Sequence, residues 1–286
     1  MTIIGRVKEL WRYPVKSMGG ERLEAALLTM RGIPGDRGWA LRDETSGEVR
    51  GAKKMPALLK CNACYVEEPS GSAIPAARLR LPDGTTMLTT DPAANDSLSK
   101  LLGRQVTIWP QQPAESRDFY RRYPDNPDFK IELREIMGRL PDEPLPDFSG
   151  LPPEIFEFTS PLGTFFDAFP LHLVTTASLL KLGSYNPAAD LDVRRFRPNV
   201  VIESQEILSG FAEGDWGGRE LVIGDTRIAV TIPTMRCVMT TLEQEGLRKD
   251  PSVLRTIVRE AAQNLGIYAD VAQAGKIAID DPVALI

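Results

Sequence analysis

Apolar and polar residues alternate over the first third of the chain. Ile3 to Leu10, Leu23 to Thr29, Gly38 to Asp43 and Leu59 to Glu67 are short β-like runs, since alternation places successive side chains on opposite faces of a strand. Thr45-Ser46-Gly47 and Pro82-Asp83-Gly84 punctuate them with turn residues. One helix is predicted here, Ala94 to Leu102, after Asp91-Pro92 and stopped by Gly103; Gln105 to Trp109 then returns to strand. These elements predict a first lobe over residues 1–110, a small β-barrel or sheet with one lid helix.

The alternation dissolves after that. Pro110, Pro113, Pro124, Pro127, Pro141, Pro144, Pro146, Pro152, Pro153, Pro161 and Pro170 accumulate beside Asp and Glu, with one short helix expected from Ile131 to Leu140. Such a stretch builds no core of its own. Phe148, Phe156, Phe158, Phe165, Phe166 and Phe169 are anchors that a free linker would not need, so residues 111–170 read as an ordered connector packed on the surface.

Residues 171–286 form the third stretch. A strand into Val174 leads to a helix from Thr176 to Leu182 closed by Gly183. Strands follow at Asn199 to Glu203, Glu220 to Ile223 and Thr226 to Ile232, the last two joined at Gly224-Asp225. Beyond a strand carrying Cys237, the residues Val253, Leu254, Ile257, Val258, Ala261, Ala262 and Leu265 form an apolar stripe on a helix predicted over Ser252 to Leu265, ending at Gly266. Ile267 to Ala272, Lys276 to Ile279 and Pro282 to Leu285 close the chain as strands. The expected fold class is α+β, mainly β: two β-barrel-like lobes with a few packed helices and a site between them.

Composition narrows the function classes. The chain has 286 residues, 42% hydrophobic and 26% charged, without an apolar run long enough to span a bilayer or serve as a secretory signal. A soluble cytoplasmic protein is expected. The net charge of −5 offers no global field for nucleic acid, so any anion must be gripped by a local cluster of cations.

The three cysteines differ in their neighbours. Cys61 and Cys64 have C-x-x-C spacing, but in a β-like run residues three apart point to opposite faces, and with His172 as the single histidine a zinc site lacks ligands. Both read as buried structural thiols. Cys237 lies in Pro233-Thr234-Met235-Arg236-Cys237-Val238-Met239-Thr240-Thr241, where a guanidinium favours a thiolate and hydroxyls suit a polar ligand. On residue chemistry alone a core cysteine on a strand is the better reading, and a hydrolytic pair with His172 has no further support. Candidate anion-binding groups are Lys16-Ser17 after Tyr13-Pro14-Val15, Arg37 after Gly35-Asp36, and Arg194-Arg195-Phe196-Arg197 before Pro198-Asn199. Thr175-Thr176-Ala177-Ser178 opens a helix, where ordinary capping competes with phosphate binding.

Taken in order, Tyr13-Pro14-Val15-Lys16-Ser17, Gly35-Asp36-Arg37, Phe196-Arg197-Pro198-Asn199, Arg236-Cys237 with Thr240-Thr241, and Gly275-Lys276-Ile277-Ala278-Ile279-Asp280-Asp281-Pro282-Val283 resemble the molybdenum-cofactor-sulfurase C-terminal (MOSC) proteins that carry an N-terminal β-barrel domain, the bacterial relatives of the mitochondrial amidoxime-reducing component. The resemblance spans nearly the whole chain and reverses the preference at Cys237. It implies that Cys237 is the protein ligand to molybdenum, beside the dithiolene of one molybdopterin. It also implies that Lys16, Ser17, Arg37, Arg197 and Asn199 surround the pterin and its phosphate, with Thr175, Ser178, Arg236 and Thr240 as further candidates. The implied reaction is two-electron oxygen-atom transfer from a small N-hydroxylated substrate. Some such proteins carry a plant-type ferredoxin domain, which needs four clustered cysteines, and no cysteine follows Cys237 here. A separate electron donor of ferredoxin or flavin-reductase type is therefore expected. The competing expectation is a carrier that delivers the cofactor, or sulfur as a Cys237 persulfide.

Overall fold

The computed structural model describes residues 1–70, 73–123, 125 and 128–286; Pro124 and Pro127 of the proline-rich stretch lie outside the described residues. The fold is mainly β. In the first lobe the strands are β1 (Thr2–Arg12), β2 (Glu21–Leu23), β3 (Ala25–Leu28), β4 (Trp39–Asp43), β5 (Glu48–Arg50), β6 (Asn62–Tyr65), β7 (Ala77–Arg80), β8 (Thr86–Leu88) and β9 (Val106–Pro110). Helix α1 (Ala94–Leu102) has the predicted bounds, because Gly103 takes the left-handed conformation that ends it (φ 64°). The run from Leu23 to Thr29 is broken into β2 and β3. A 3-10 turn, Pro56–Lys60, occupies the start of the run predicted from Leu59.

Helices α2 (Arg117–Tyr120) and α3 (Phe129–Met137) follow. The Asp128 side chain caps the start of α3 by accepting from the Lys130 amide, and Gly138 (φ 62°) ends it, so α3 starts and stops earlier than its pattern suggests. Phe158 and Phe165 are fully buried, packed with Tyr120, Ala40 and Val49, while Phe156 is 41% exposed.

The remaining elements are β10 (Leu171–Thr175), α4 (Thr176–Tyr185), β11 (Val200–Ser204), β12 (Glu220–Ile223), β13 (Thr226–Met235), α5 (Pro251–Glu260), β14 (Asn264–Gln273), β15 (Gly275–Ala278) and β16 (Pro282–Leu285). Two helix ends differ from expectation. Gly183 sits inside α4 and tolerates the helix interior, so α4 runs to Tyr185. Helix α5 stops at Glu260 because Ala262 and Gln263 take positive φ (45° and 70°) and turn the chain into β14. Leu265 is nonetheless buried with Val253 and Ile257, so a strand residue completes what reads as a helical stripe. Each of those side chains contributes about 1.5–3 kcal/mol through burial.

Seven strands close a barrel in the order β11-β10-β14-β13-β12-β16-β1, with β1 returning to β11 and β2 attached outside. The first strand of the chain thus completes a barrel otherwise made by the C-terminal half: Leu10 pairs with Val200 and Thr2 with Leu285. Inside it pack Ile4, Val7, Leu173, Ile202, Ile228 and Ile267. The first lobe keeps two three-stranded sheets, β5-β4-β9 and β6-β7-β8, around a second core that includes Met18, Trp39, Leu58 and Leu79. Met239 belongs to that second core and Cys237 packs against it. The seam between the cores therefore runs past Cys237. Among the described residues no helix is long and apolar enough to cross a membrane.

Candidate functional site

Three turns meet at that seam. Leaving β1, the chain passes Tyr13-Pro14-Val15 and enters a tight turn in which Ser17 has φ 69°, a conformation a non-glycine residue adopts at a cost of about 1–3 kcal/mol. The Ser17 hydroxyl accepts a hydrogen bond from the Ala52 amide at 2.9 Å. Gly51 is required beside it, since a Cβ there would lie 2.5 Å from the Ser17 Oγ. Arg37 (φ 50°) and Arg197 (φ 54°) occupy the same strained region. Among the described residues, three of the six non-glycine residues with positive φ are thus in this one place. That clustering marks a site whose surroundings hold the backbone against its preference.

Asp36 ties the turns together. Its buried carboxylate accepts from the Tyr13 amide at 2.8 Å, from Asn199 Nδ2 at 2.9 Å and from the Arg37 guanidinium. Asn199 Oδ1 in turn accepts from the His172 amide at 3.1 Å. The Arg37 and Arg197 guanidiniums both lie over the Tyr13 ring, 4.6 and 4.2 Å from its centre. Burial, then the Arg37 charge, lowers the Arg197 pKa to about 10. Arg236 is buried, donates to the Phe196 carbonyl at 2.8 Å and approaches His172 Nε2 at 3.4 Å. Burial, then the charge of Arg236, holds His172 well below its ordinary pKa and hence neutral near pH 7.

Cys237 is not on a strand. Strand β13 ends at Met235, and Cys237 is the extended residue that starts a 3-10 turn, Val238–Thr241. The buried Thr240 fastens this turn, its amide and hydroxyl donating to the Cys237 carbonyl at 3.2 and 3.1 Å. The thiol is half-buried and lines a pocket of about 680 Å³, measured to its open mouth.

Lys16, Ser17, Arg37, Arg197, Asn199, Arg236, Cys237 and Thr240 all line this pocket. Thr175 and Ser178 do not. Thr175 caps α4 by accepting from the Ser178 amide, and both hydroxyls donate to the buried carboxylate of Glu213, at 2.9 and 2.6 Å. Capping and an internal carboxylate have taken the donors that would have met a phosphate. Cys61 is fully buried, which pushes its thiol up to about 12; Cys64 is half-buried, and neither forms a disulfide.

Lys16, Arg37, Arg195, Arg197 and Arg236 face the pocket against one carboxylate, Asp167. Arg195 is held by the carbonyls of Asp190 and Arg248, each at 2.7 Å. Lys16 donates to the Phe165 carbonyl at 2.8 Å and to Asp167 at 2.9 Å; burial lowers its pKa while Asp167 opposes that. Among the described residues, two buried donors of this wall, Arg197 Nη2 and Arg236 Nε, have no partner. A buried donor left unmet costs about 1–3 kcal/mol, so a multiply charged oxyanion is the complement this wall lacks. Asp167 and Tyr268 were not singled out by sequence, and Phe166 only as a packing anchor; the run Phe165-Phe166-Asp167, after a proline-rich stretch, was the available signal.

Residues 163–284 match the MOSC domain and residues 4–106 the MOSC N-terminal beta barrel domain. Mitochondrial amidoxime reducing component 2 of Rattus norvegicus is 26% identical, over 98% of this chain and 83% of that protein. Its Bos taurus counterpart is 25% identical over the same shares, and mitochondrial amidoxime-reducing component 1 of Homo sapiens is 24% identical over 99% and 83%.

Proposed function

Because the chain is a MOSC-domain protein that also carries the MOSC N-terminal beta barrel domain, we propose that it holds a molybdenum-molybdopterin cofactor and uses it to reduce N-hydroxylated compounds. MOSC domains are associated with this cofactor, and the relatives above are named for amidoxime reduction. The observation that carries the reading is the half-buried Cys237 thiol on a cationic wall with two unmet guanidinium donors. Soft sulfur suits molybdenum, and Lys16, Arg37, Arg197 and Arg236 suit a phosphate. When bound, the group supplies two-electron oxygen-atom transfer.

The chain's own part is positioning. Asp36 and Asn199 lock Arg37, and Thr240 fixes the turn that presents the thiol. Phe165, Phe166, Phe169 and Tyr268 wall the pocket and limit water. The electrons would come from a donor of ferredoxin or flavin-reductase type, since these 286 residues hold three cysteines and a plant-type iron–sulfur cluster needs four. Protein from a cofactor-competent host should contain about one molybdenum per chain, and Cys237→Ala close to none, as expected on losing a protein ligand. Unchanged molybdenum in that variant contradicts the reading.

The position of Cys237 also bears on the carrier reading. A strand cysteine would have lacked an approach path, whereas this one starts a turn and faces two cavities. A stable mass increase of one sulfur on Cys237 in the isolated protein would favour sulfur transfer over reduction.

A further inference from the structure

A second cavity meets the first at Cys237. It has about 780 Å³ of space including its mouth, and Asp167, Met235, Cys237 and Tyr268 line both. Its other walls come from the segment between the lobes. Phe129, Leu133 and Ile136 are on α3, and Phe148, Leu151 and Phe156 lie beyond it. Phe156 stands edge-on to Phe129 and Phe148, with ring centres 6.0 and 5.8 Å apart. These apolar side chains are half-buried or exposed rather than packed into a core, the state of a lining that awaits an apolar occupant.

Lys53 and Arg122 also line this chamber. Nearby acids are already engaged: Glu48 with Arg50, and Glu132 with Lys54. Among the described residues Lys53 makes no hydrogen bond and no close ion pair. Burial works against its charge, but Asp167 and Cys237 outweigh it and its pKa is raised, so it is an ammonium. Arg122 donates to the Ile155 and Phe158 carbonyls, and its buried Nε has no partner among the described residues. Against these two cations the chamber has one carboxylate, Asp167, which is salt-bridged to Lys16.

We propose that this chamber is the substrate subsite and that it selects a small molecule with an apolar, aromatic body and one carboxylate, the carboxylate anchored by Lys53 and Arg122. The aromatic body lies among Phe129, Leu133, Phe148 and Phe156, within reach of Cys237. The claim that this molecule is an N-hydroxylated compound to be reduced rests on the function proposed above; the claim of binding does not.

The test is isothermal titration calorimetry of the full chain with 2-naphthoate, the neutral 2-naphthamide and the cationic 2-naphthamidine. The carboxylate should bind about tenfold more tightly than the amide, the worth of a charge-assisted contact, and the amidinium most weakly. Lys53→Gln should erase most of that preference while leaving amide binding unchanged. Leu133→Ser should weaken carboxylate and amide alike, and thermal melts check that both variants are folded. Equal affinity for carboxylate and amide, a preference that survives Lys53→Gln, or no saturable binding overturns the proposal. Naphthoate binding with the expected Lys53 dependence, in cofactor-loaded protein that reduces no N-hydroxylated probe, removes the reductase reading and leaves the subsite standing. Reduction without naphthoate binding does the reverse.

Discussion

The cationic pocket and the apolar chamber share Cys237 but are built by opposite means. The pocket is framed by turns at the ends of barrel strands, where Asp36 and Asn199 fix neighbours through several hydrogen bonds each and three residues are held at positive φ. The chamber is walled mostly by apolar side chains of α3 and of the proline-rich segment after it, and those side chains touch solvent. A group that must be oriented to a fraction of an ångström needs the first kind of wall. An apolar body needs only the second, which tolerates change.

That contrast breaks if both walls respond alike to truncation. Asp36→Ala leaves the Arg37 guanidinium without its buried carboxylate and the Tyr13 amide without its acceptor, and should cost about 3 kcal/mol in urea unfolding. Phe156→Ala, at a position 41% exposed, should cost less than about 1 kcal/mol. Equal losses would mean that the two walls do not differ in rigidity.

A smaller effect sharpens the account at Glu213. Burial raises its pKa in the folded protein, so the stability it contributes is complete below its unfolded pKa and is lost as pH rises through the folded one. Glu213→Gln removes the ionisation and keeps an acceptor for Thr175 and Ser178. The melting temperature of the variant relative to the parent should therefore be more favourable at pH 8 than at pH 4, by a few degrees. A constant difference would mean that Glu213 does not titrate between those values.

Local signals carried most of the fold. Gly103 ends α1 and Gly224-Asp225 turns β12 into β13 because the conformation needed is decided within a few residues. The membership of β1 in the barrel was not legible, since pairing across almost the whole chain leaves no local trace. The end of α5 was hidden because Leu265 is buried beside Ile257 whether it continues the helix or begins β14. At the site, Lys16, Arg37, Arg197 and Arg236 were found as cations beside turn residues. That Thr175 and Ser178 lie outside the pocket was not legible, because a helix start looks the same whether its donors meet a ligand or Glu213. Lys53 was missed because only the fold brings it to the chamber wall.

The smallest expected change is at Cys64. Cys64 is half-buried and lines neither cavity, so Cys64→Ser should leave molybdenum content and melting temperature unchanged. A loss of metal there would return the Cys61–Cys64 pair to consideration.

The central claim is that Cys237 supplies a sulfur to molybdenum. X-ray absorption at the molybdenum edge counts those sulfurs directly, and Cys237→Ser keeps a side chain of similar size that can still ligate through oxygen. The account predicts one sulfur neighbour fewer at the metal in whatever loaded Cys237→Ser can be recovered, with an oxygen in its place. An identical sulfur count in parent and variant would contradict it.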